Sequence, residues 1–275
     1  KSSAASDVYK RQVVDNHTIH ATFARKHTPT PSTPTVEIPD DDALGLNTTD
    51  HFAYIVGYGN GEVRPQNNIT RAEVATIFFR LLTDDVRDEN LTKTNRYSDV
   101  AATSWYNTAV STLSSMGIIT GYPDGTFRPN AAITRAEFTT LAVRFFDVYG
   151  DGNKDIMEQY KDFGDVSDGY WAAEYIKAAA KSGWINGYED GSFRADRNIS
   201  RAEVVTIVNR LLAREADESY IADNLRKLNT FSDMSGKHWA YYAVMEAANA
   251  HTAILGENET WSCLLYTSPS PRDCS

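Results

Sequence analysis

The chain has 275 residues, 27 basic against 37 acidic, and a formal net charge of −10. That length allows one or two ordinary domains, and an apolar share of 41% is enough for a packed core. The acidic balance argues against a broad surface for nucleic acid or anionic membrane. No run of about 18 apolar residues could span a bilayer, and two cysteines cannot frame a disulfide scaffold.

Both ends read as foreign. Residues 2–12, SSAASDVYKRQ, back-translate into a transposase sequencing adapter, and residues 263–273, CLLYTSPSPRD, into the opposite one. Residues 1–12 and 263–275 are therefore expected to be adapter-derived and are set aside. Cys263 and Cys274 go with them, and a cysteine-free remainder suits an exported bacterial protein. Residues 13–27 alternate like a strand over Thr18–Phe23 and are read as the end of a truncated upstream β module. Residues 28–46, rich in Thr, Pro and Asp, read as an extended linker.

From there the chain repeats. GYGNGEVRPQNNITRAE from Gly57, GYPDGTFRPNAAITRAE from Gly121 and GYEDGSFRADRNISRAE from Gly187 align without a gap. A second block recurs from Tyr97, Phe163 and Phe231 (YSDV, FGDV, FSDM), each followed by a tryptophan. The boundaries read as repeat 1 over 47–96 without its first helix, repeat 2 over 97–162, repeat 3 over 163–230, and a closing half-repeat over 231–262. The expected fold is all-α: three two-helix units in a closed pseudo-threefold bundle with short loops, the last half docking on the first.

In each unit the first helix begins near the tryptophan, with the stripe Trp105, Ala109, Val110, Leu113, Met116. Gly117 and Gly183 stand where a left-handed C-terminal residue is wanted. The second helix carries Val74, Ile77, Phe78, Leu81 and Leu82 at helical spacing, and the stripe returns from Phe138 and from Val204. Acidic runs such as Asp84-Asp85 and Arg87-Asp88-Glu89 read as solvated connectors.

The TRAE motif carries the chemistry. Thr70 with Glu73, Thr134 with Glu137, and Ser200 with Glu203 have capping-box spacing ahead of an apolar stripe, which is a complete structural explanation. Arg71, Arg135 and Arg201 have none, since a cation in the first helical turn opposes the helix dipole. Beside free N–H groups such an arginine makes an anion site, and its fork fits a carboxylate. The alternative is an ion pair to a neighbouring unit's Asp99 or Asp165. Trp105, Trp171 and Trp239 read first as core, because they open the stripe, and second as platforms for a sugar face. Tyr58, Tyr122 and Tyr188 are ambiguous in the same way.

These motifs, YSDV…W followed by GYPDGTFRPNAAITRAE, closely resemble the S-layer homology domain over residues 47–262. The resemblance implies a helical pseudo-trimer that tethers exported proteins to the cell wall without covalent bonds. Its ligand would be a secondary cell-wall polymer, often a pyruvylated glycan. It implies that Arg71, Arg135 and Arg201 meet polymer carboxylates in grooves between units, with the tryptophans and tyrosines alongside. Localisation would be secreted, at the wall or S-layer surface. Ser200 replaces the motif's threonine, Ala195 replaces the proline seen at Pro65 and Pro129, and the groove beside the first unit depends on residues 231–251.

Other signals are weak. Asp147, Asp151, Asp155 and Glu158 partly match a calcium loop, in which Tyr149 and Lys154 do not belong. The six histidines show no metal spacing, so no metal or other cofactor is expected. No nucleophile motif, phosphate loop or acid–base pair marks an enzyme. The reading is a non-enzymatic module whose partner is wall glycan, with no nucleic acid and no membrane insertion. The alternative is a protein-binding or adhesive module that meets neighbouring S-layer proteins.

Overall fold

The computed structural model describes residues 50–149, 162–254 and 259–265. Contacts divide the chain into Lys1–Thr33 and Pro34–Ser275, and every described residue belongs to the second unit. The N-terminal adapter segment, the strand at 13–27 and the linker at 28–46 lie outside the described residues. So do Asp151, Asp155, Glu158 and the side chain of Asp147 from the calcium loop.

In chain order the elements are β1 (Asp50–His51), α1 (Arg71–Leu81), α2 (Asp84–Asn90), α3 (Asn107–Ser115), α4 (Arg135–Tyr149), α5 (Ala173–Lys181), α6 (Arg201–Leu211), α7 (Glu218–Asn224), a 3-10 turn (Leu225–Lys227), α8 (Tyr241–Ala248), β2 (His251–Ile254) and β3 (Thr260–Leu264). The protein is largely helical. Among the described residues no helix is long and apolar enough to cross a membrane.

The long helices α1, α4 and α6 form for the reason their sequences give. Each opens on a capping box. Glu73 N–H donates to Thr70 Oγ1 at 3.2 Å while Thr70 N–H donates to Glu73 Oε2 at 2.8 Å. Glu137 with Thr134, and Glu203 with Ser200, repeat the exchange. Two N–H groups that a helix start leaves orphaned are satisfied at each site. The apolar stripes then meet: Val74, Phe78, Phe138, Phe145, Val204 and Val208 are all fully buried in one core. The Phe78 ring stands 4.7 Å from that of Phe145 and 6.1 Å from that of Phe138. Burying each such side chain stabilises the fold by about 1.5–3 kcal/mol.

The shorter helices pack on the long ones, α3 on α1, α5 on α4 and α8 on α6. Gly117 (φ 76°) and Gly183 (φ 71°) turn the chain away after α3 and α5, a conformation that costs a Cβ-bearing residue more.

Two departures concern secondary structure. The segment read as a solvated connector at Asp84–Glu89 is a short helix, α2, capped by Thr83 and burying no residue. The all-α expectation is corrected by a three-stranded antiparallel sheet in the order β1-β2-β3, with His51 paired to His251 and His251 to Leu264. β1 is too short for alternation to reveal, and its pairing depends on residues far along the chain. β3 also runs through Cys263 and Leu264, into the segment read as adapter.

Backbone hydrogen bonds link the three motif segments in a cycle. Ile133 N–H donates to Ile69 O (3.1 Å), Ile199 to Ile133 (3.1 Å) and Ile69 to Ile199 (3.2 Å). A residue late in the chain also bonds back to the loop before α1: Ser232 N–H donates to Gly61 O at 2.9 Å.

Candidate functional site

The three TRAE arginines occupy equivalent positions, and all are buried, at 8%, 6% and 5% exposure for Arg71, Arg135 and Arg201. Each reaches from its own helix start into the next motif of the cycle. Arg135 Nε donates to Phe193 O at 2.8 Å, and its Nη1 meets Glu203 Oε1 at 3.2 Å. Arg71 makes the same pair of bonds to Phe127 O and Glu137, and Arg201 to Val63 O and Glu73. Their ion-pair partner is thus the neighbour's capping-box glutamate, not Asp99 or Asp165. Burial lowers the pKa of Arg135, an effect that Tyr188 and Glu203 oppose. Nη2 of Arg201 donates to Val56 O at 3.3 Å. Nη2 of Arg71 and of Arg135 makes no hydrogen bond among the described residues.

The aspartates have a different task. Asp99 accepts from the N–H groups of Phe127 and Arg128 at 2.8 and 2.7 Å. Asp165 accepts from Phe193 and Arg194, and Asp233 from Val63 and Arg64. These clamps hold Arg64, Arg128 and Arg194 at φ 52°, 57° and 58°, the left-handed region that a non-glycine residue rarely enters. Strain of this kind costs on the order of 1–3 kcal/mol per residue and persists only where the surroundings impose it. Sequence reading passed over these arginines; the R-P and R-A dipeptides carry no signal for a positive φ.

Each tyrosine ring carries a strained arginine and a buried one, and Tyr188 carries Arg197 as well, at 5.5 Å. Arg128 lies 4.0 Å and Arg71 4.8 Å from the Tyr122 ring centre. Arg194 and Arg135 do the same at Tyr188, and Arg64 and Arg201 at Tyr58. The tyrosine hydroxyls donate to the glutamates, Tyr122 to Glu137 at 2.6 Å and Tyr188 to Glu203 at 2.8 Å. The outer arginine is anchored in turn: Asp124 pairs with Arg128 at 2.8 Å, and bonds from Thr126 and Arg128 hold its carboxyl down to about 2.

The tryptophans are not core. Trp105, Trp171 and Trp239 are 66%, 58% and 61% exposed, and each lies outside the helix that follows it. The adjoining Tyr106, Ala172 and Ala240 are buried in their place. Trp239 forms one wall of a cleft of about 250 Å³ whose other walls include Arg135, Tyr188, Glu203, Ile207 and Arg210. An exposed indole, a tyrosine and two arginines from separate parts of the sequence thus meet in one groove. Arg210 is exposed there and was not singled out from sequence.

The structure also gathers His51, Glu246, His251 and Glu259 in a buried group whose four ligand atoms lie within 4.8 Å of one another. Spacing along the chain gave no sign of this group, because the four come from separate elements.

The profile of the S-layer homology domain matches residues 53–75, 96–139 and 162–205. The chain is an S-layer homology domain protein. The matched stretches hold the three TRAE motifs, Trp105 and Trp171; Trp239 lies beyond them. The S-layer homology repeats make the chain similar to a cellulosome-anchoring protein of Acetivibrio thermocellus, 34% identical over 227 residues, or 82% of this chain and 48% of the relative. Cell surface glycoprotein 1 of the same organism is 37% identical over 226 residues, 79% of this chain and 9% of the relative. An amylopullulanase of Thermoanaerobacterium thermosulfurigenes is 32% identical over 166 residues, 59% of this chain and 8% of that enzyme. The chain therefore spans less than half the length of each of these relatives.

Proposed function

We propose that the S-layer homology repeats anchor an exported bacterial protein to the cell wall by binding an anionic secondary cell-wall glycan, pyruvylated on its sugars, in grooves between units. The observation that carries this reading is the groove at Trp239: an indole left 61% exposed beside Arg135 and Arg210. A sugar ring bearing a carboxylate needs one apolar face to stack on and a guanidinium fork to meet its charge. The relatives named for anchoring and for the cell surface support the same destination, outside the cell at the wall.

In this reading the units close into a pseudo-threefold bundle. The isoleucine cycle and the bonds from Ser232 and Asp233 to the first loop support that closure. The grooves are then not equal. Arg71 and Arg135 offer Nη2 to a ligand, whereas Arg201 has given its Nη2 to Val56 O. Two grooves bind polymer carboxylate and the third does not. The module does no chemistry of its own: Glu73, Glu137 and Glu203 are taken up by capping and by arginine.

The test is sedimentation of the full chain with native walls and with walls stripped of secondary polymer by acid. A Trp239→Ala, Arg210→Ala variant runs beside it. Wild type sedimenting with native wall alone, and the folded variant failing to, is the expected result. Equal binding to stripped wall sinks the glycan reading and turns the search to a protein partner.

A further inference from the structure

We propose that His51, Glu246, His251 and Glu259 form a structural site for a divalent transition metal, Zn²⁺ by the chemistry of its donors. Two imidazoles and two carboxylates make an N₂O₂ set of the kind a tetrahedral zinc takes. All four residues are buried, at 2%, 1%, 0% and 8% exposure. His51 Nδ1 lies 3.0 Å from Glu246 Oε1 and 3.2 Å from Glu259 Oε1. His251 Nε2 lies 3.4 Å from Glu246 Oε2 and 3.3 Å from Glu259 Oε1. Zinc bonds of about 2.0–2.2 Å in a tetrahedron put neighbouring donors roughly 3.3–3.5 Å apart. The four histidine–glutamate contacts stand near that spacing, and one ligand atom from each residue lies within 4.8 Å of the others.

Two observations favour a cation over a set of ion pairs. His251 Nδ1 is 2.8 Å from Asn249 O, and a carbonyl only accepts, so Nδ1 carries the proton. That bond turns Nε2 toward the two carboxylates. A backbone carbonyl fixing the far nitrogen is also the usual support of a ligating histidine. Secondly, Glu246 Oε2 is buried and has no hydrogen-bond partner among the described residues. The two carboxylates match the charge of a divalent cation, and the neighbouring Arg214, itself buried, adds a further positive charge beside them.

The site's place in the fold says what it would do. His51 is in β1, Glu246 in α8, His251 in β2, and Glu259 just before β3. One ion would tie the start of the described module to its end, where the first repeat lacks a helix. The set is closed to solvent on every donor, which is the form of a structural site and not a catalytic one.

The experiment uses the full chain, stripped of metal by chelator. Because other histidines and thiols also hold zinc, it is run on wild type and on a chain carrying H17N, H20N, H27N, C263S and C274S. Calorimetry with Zn²⁺ is expected to give one ion per chain in that background. Co²⁺ is expected to give the intense visible absorption of four-coordinate cobalt, and the thermal midpoint is expected to rise with free Zn²⁺. Glu246→Gln and His251→Gln, added singly, are each expected to weaken binding at least about a hundredfold. If the background chain takes up no Zn²⁺, or its cobalt spectrum is the weak one of six-coordinate ions, the site is an ion-paired network and the proposal fails. It fails equally if both folded variants bind as their parent does. The background chain's own stoichiometry and spectrum decide the matter even where a variant does not fold.

Discussion

The ring of Phe231 stands so close to Gly57 that a β-carbon on that glycine would sit 2.5 Å from Cε1. Tyr97 covers Gly121, and Phe163 covers Gly187, in the same way. In those two pairs the aromatic residue and the glycine belong to one repeat. Phe231 instead reaches back to the first GY motif, so a residue late in the chain covers a glycine near the start of the described residues.

That contact leaves no room at Gly57, where Glu62 O would also lie 3.0 Å from the new carbon. Gly57→Ala is expected to lower stability by about 1–3 kcal/mol, the usual range for overpacking. Phe231→Ala is also destabilising, but the double variant should be less so than the sum, because the second change removes the clash made by the first. Urea midpoints of the four proteins check this. Strict additivity would mean the two residues do not touch.

Arg135 has the geometry of a staple between two motifs. Removing it leaves Oε1 of the partly buried Glu203 with Tyr188 and Arg197 alone, and strands Phe193 O. Arg135→Ala is expected to cost about 3 kcal/mol, the lower end of the range for breaking a buried pair. Arg135→Lys should cost less but still measurably, since a single ammonium cannot reproduce the Nε and Nη1 bonds together. Equal urea midpoints for all three proteins would contradict the staple.

The helical stripes and capping boxes were legible because both are local: Thr70 and Glu73, or Val74 and Phe78, sit within two turns. The recurrence of Arg71, Arg135 and Arg201 was legible as well, but not their partners. Glu137, Glu203 and Glu73 are brought to them from the next motif by the isoleucine cycle, which no spacing encodes. The tryptophans misled for a related reason. They sit at stripe register, yet each helix starts after its tryptophan, so the register does not extend to them. The sheet and the His–Glu group depend on the two ends of the module meeting, and short runs such as Asp50–His51 carry no periodicity of their own.

Arg128 separates local strain from use. At φ 57° it sits where glycine would be relaxed and a β-branched residue badly placed. Its ion pair with Asp124 is exposed and contributes little. Arg128→Gly is therefore expected to keep or raise the thermal midpoint, and Arg128→Val to lower it. If Arg128 is kept for the groove, the glycine variant should also bind native wall several-fold more weakly. A glycine variant that is less stable, or that binds as wild type does, would remove the reason for the strain.

Acid should loosen the helical core at its capping boxes. Burial would raise the carboxyl pKa of Glu73 and of Glu203. The Thr70 and Ser200 backbone and hydroxyl donors, the tyrosines, and Arg201 or Arg135 outweigh it, so both lie below their ordinary value of 4.5. A carboxyl depressed in the folded state contributes stability that is complete above its unfolded pKa and disappears as pH falls through the folded one. The urea midpoint should therefore hold from neutral pH down to about 5 and decline below about 4.5, where the unfolded chain begins to take up protons that the folded one refuses. Glu73→Gln, Glu203→Gln is expected to start lower at pH 7 and to decline less steeply, because its capping groups no longer titrate. A double variant whose midpoint parallels wild type throughout that window would place the acid sensitivity elsewhere in the chain.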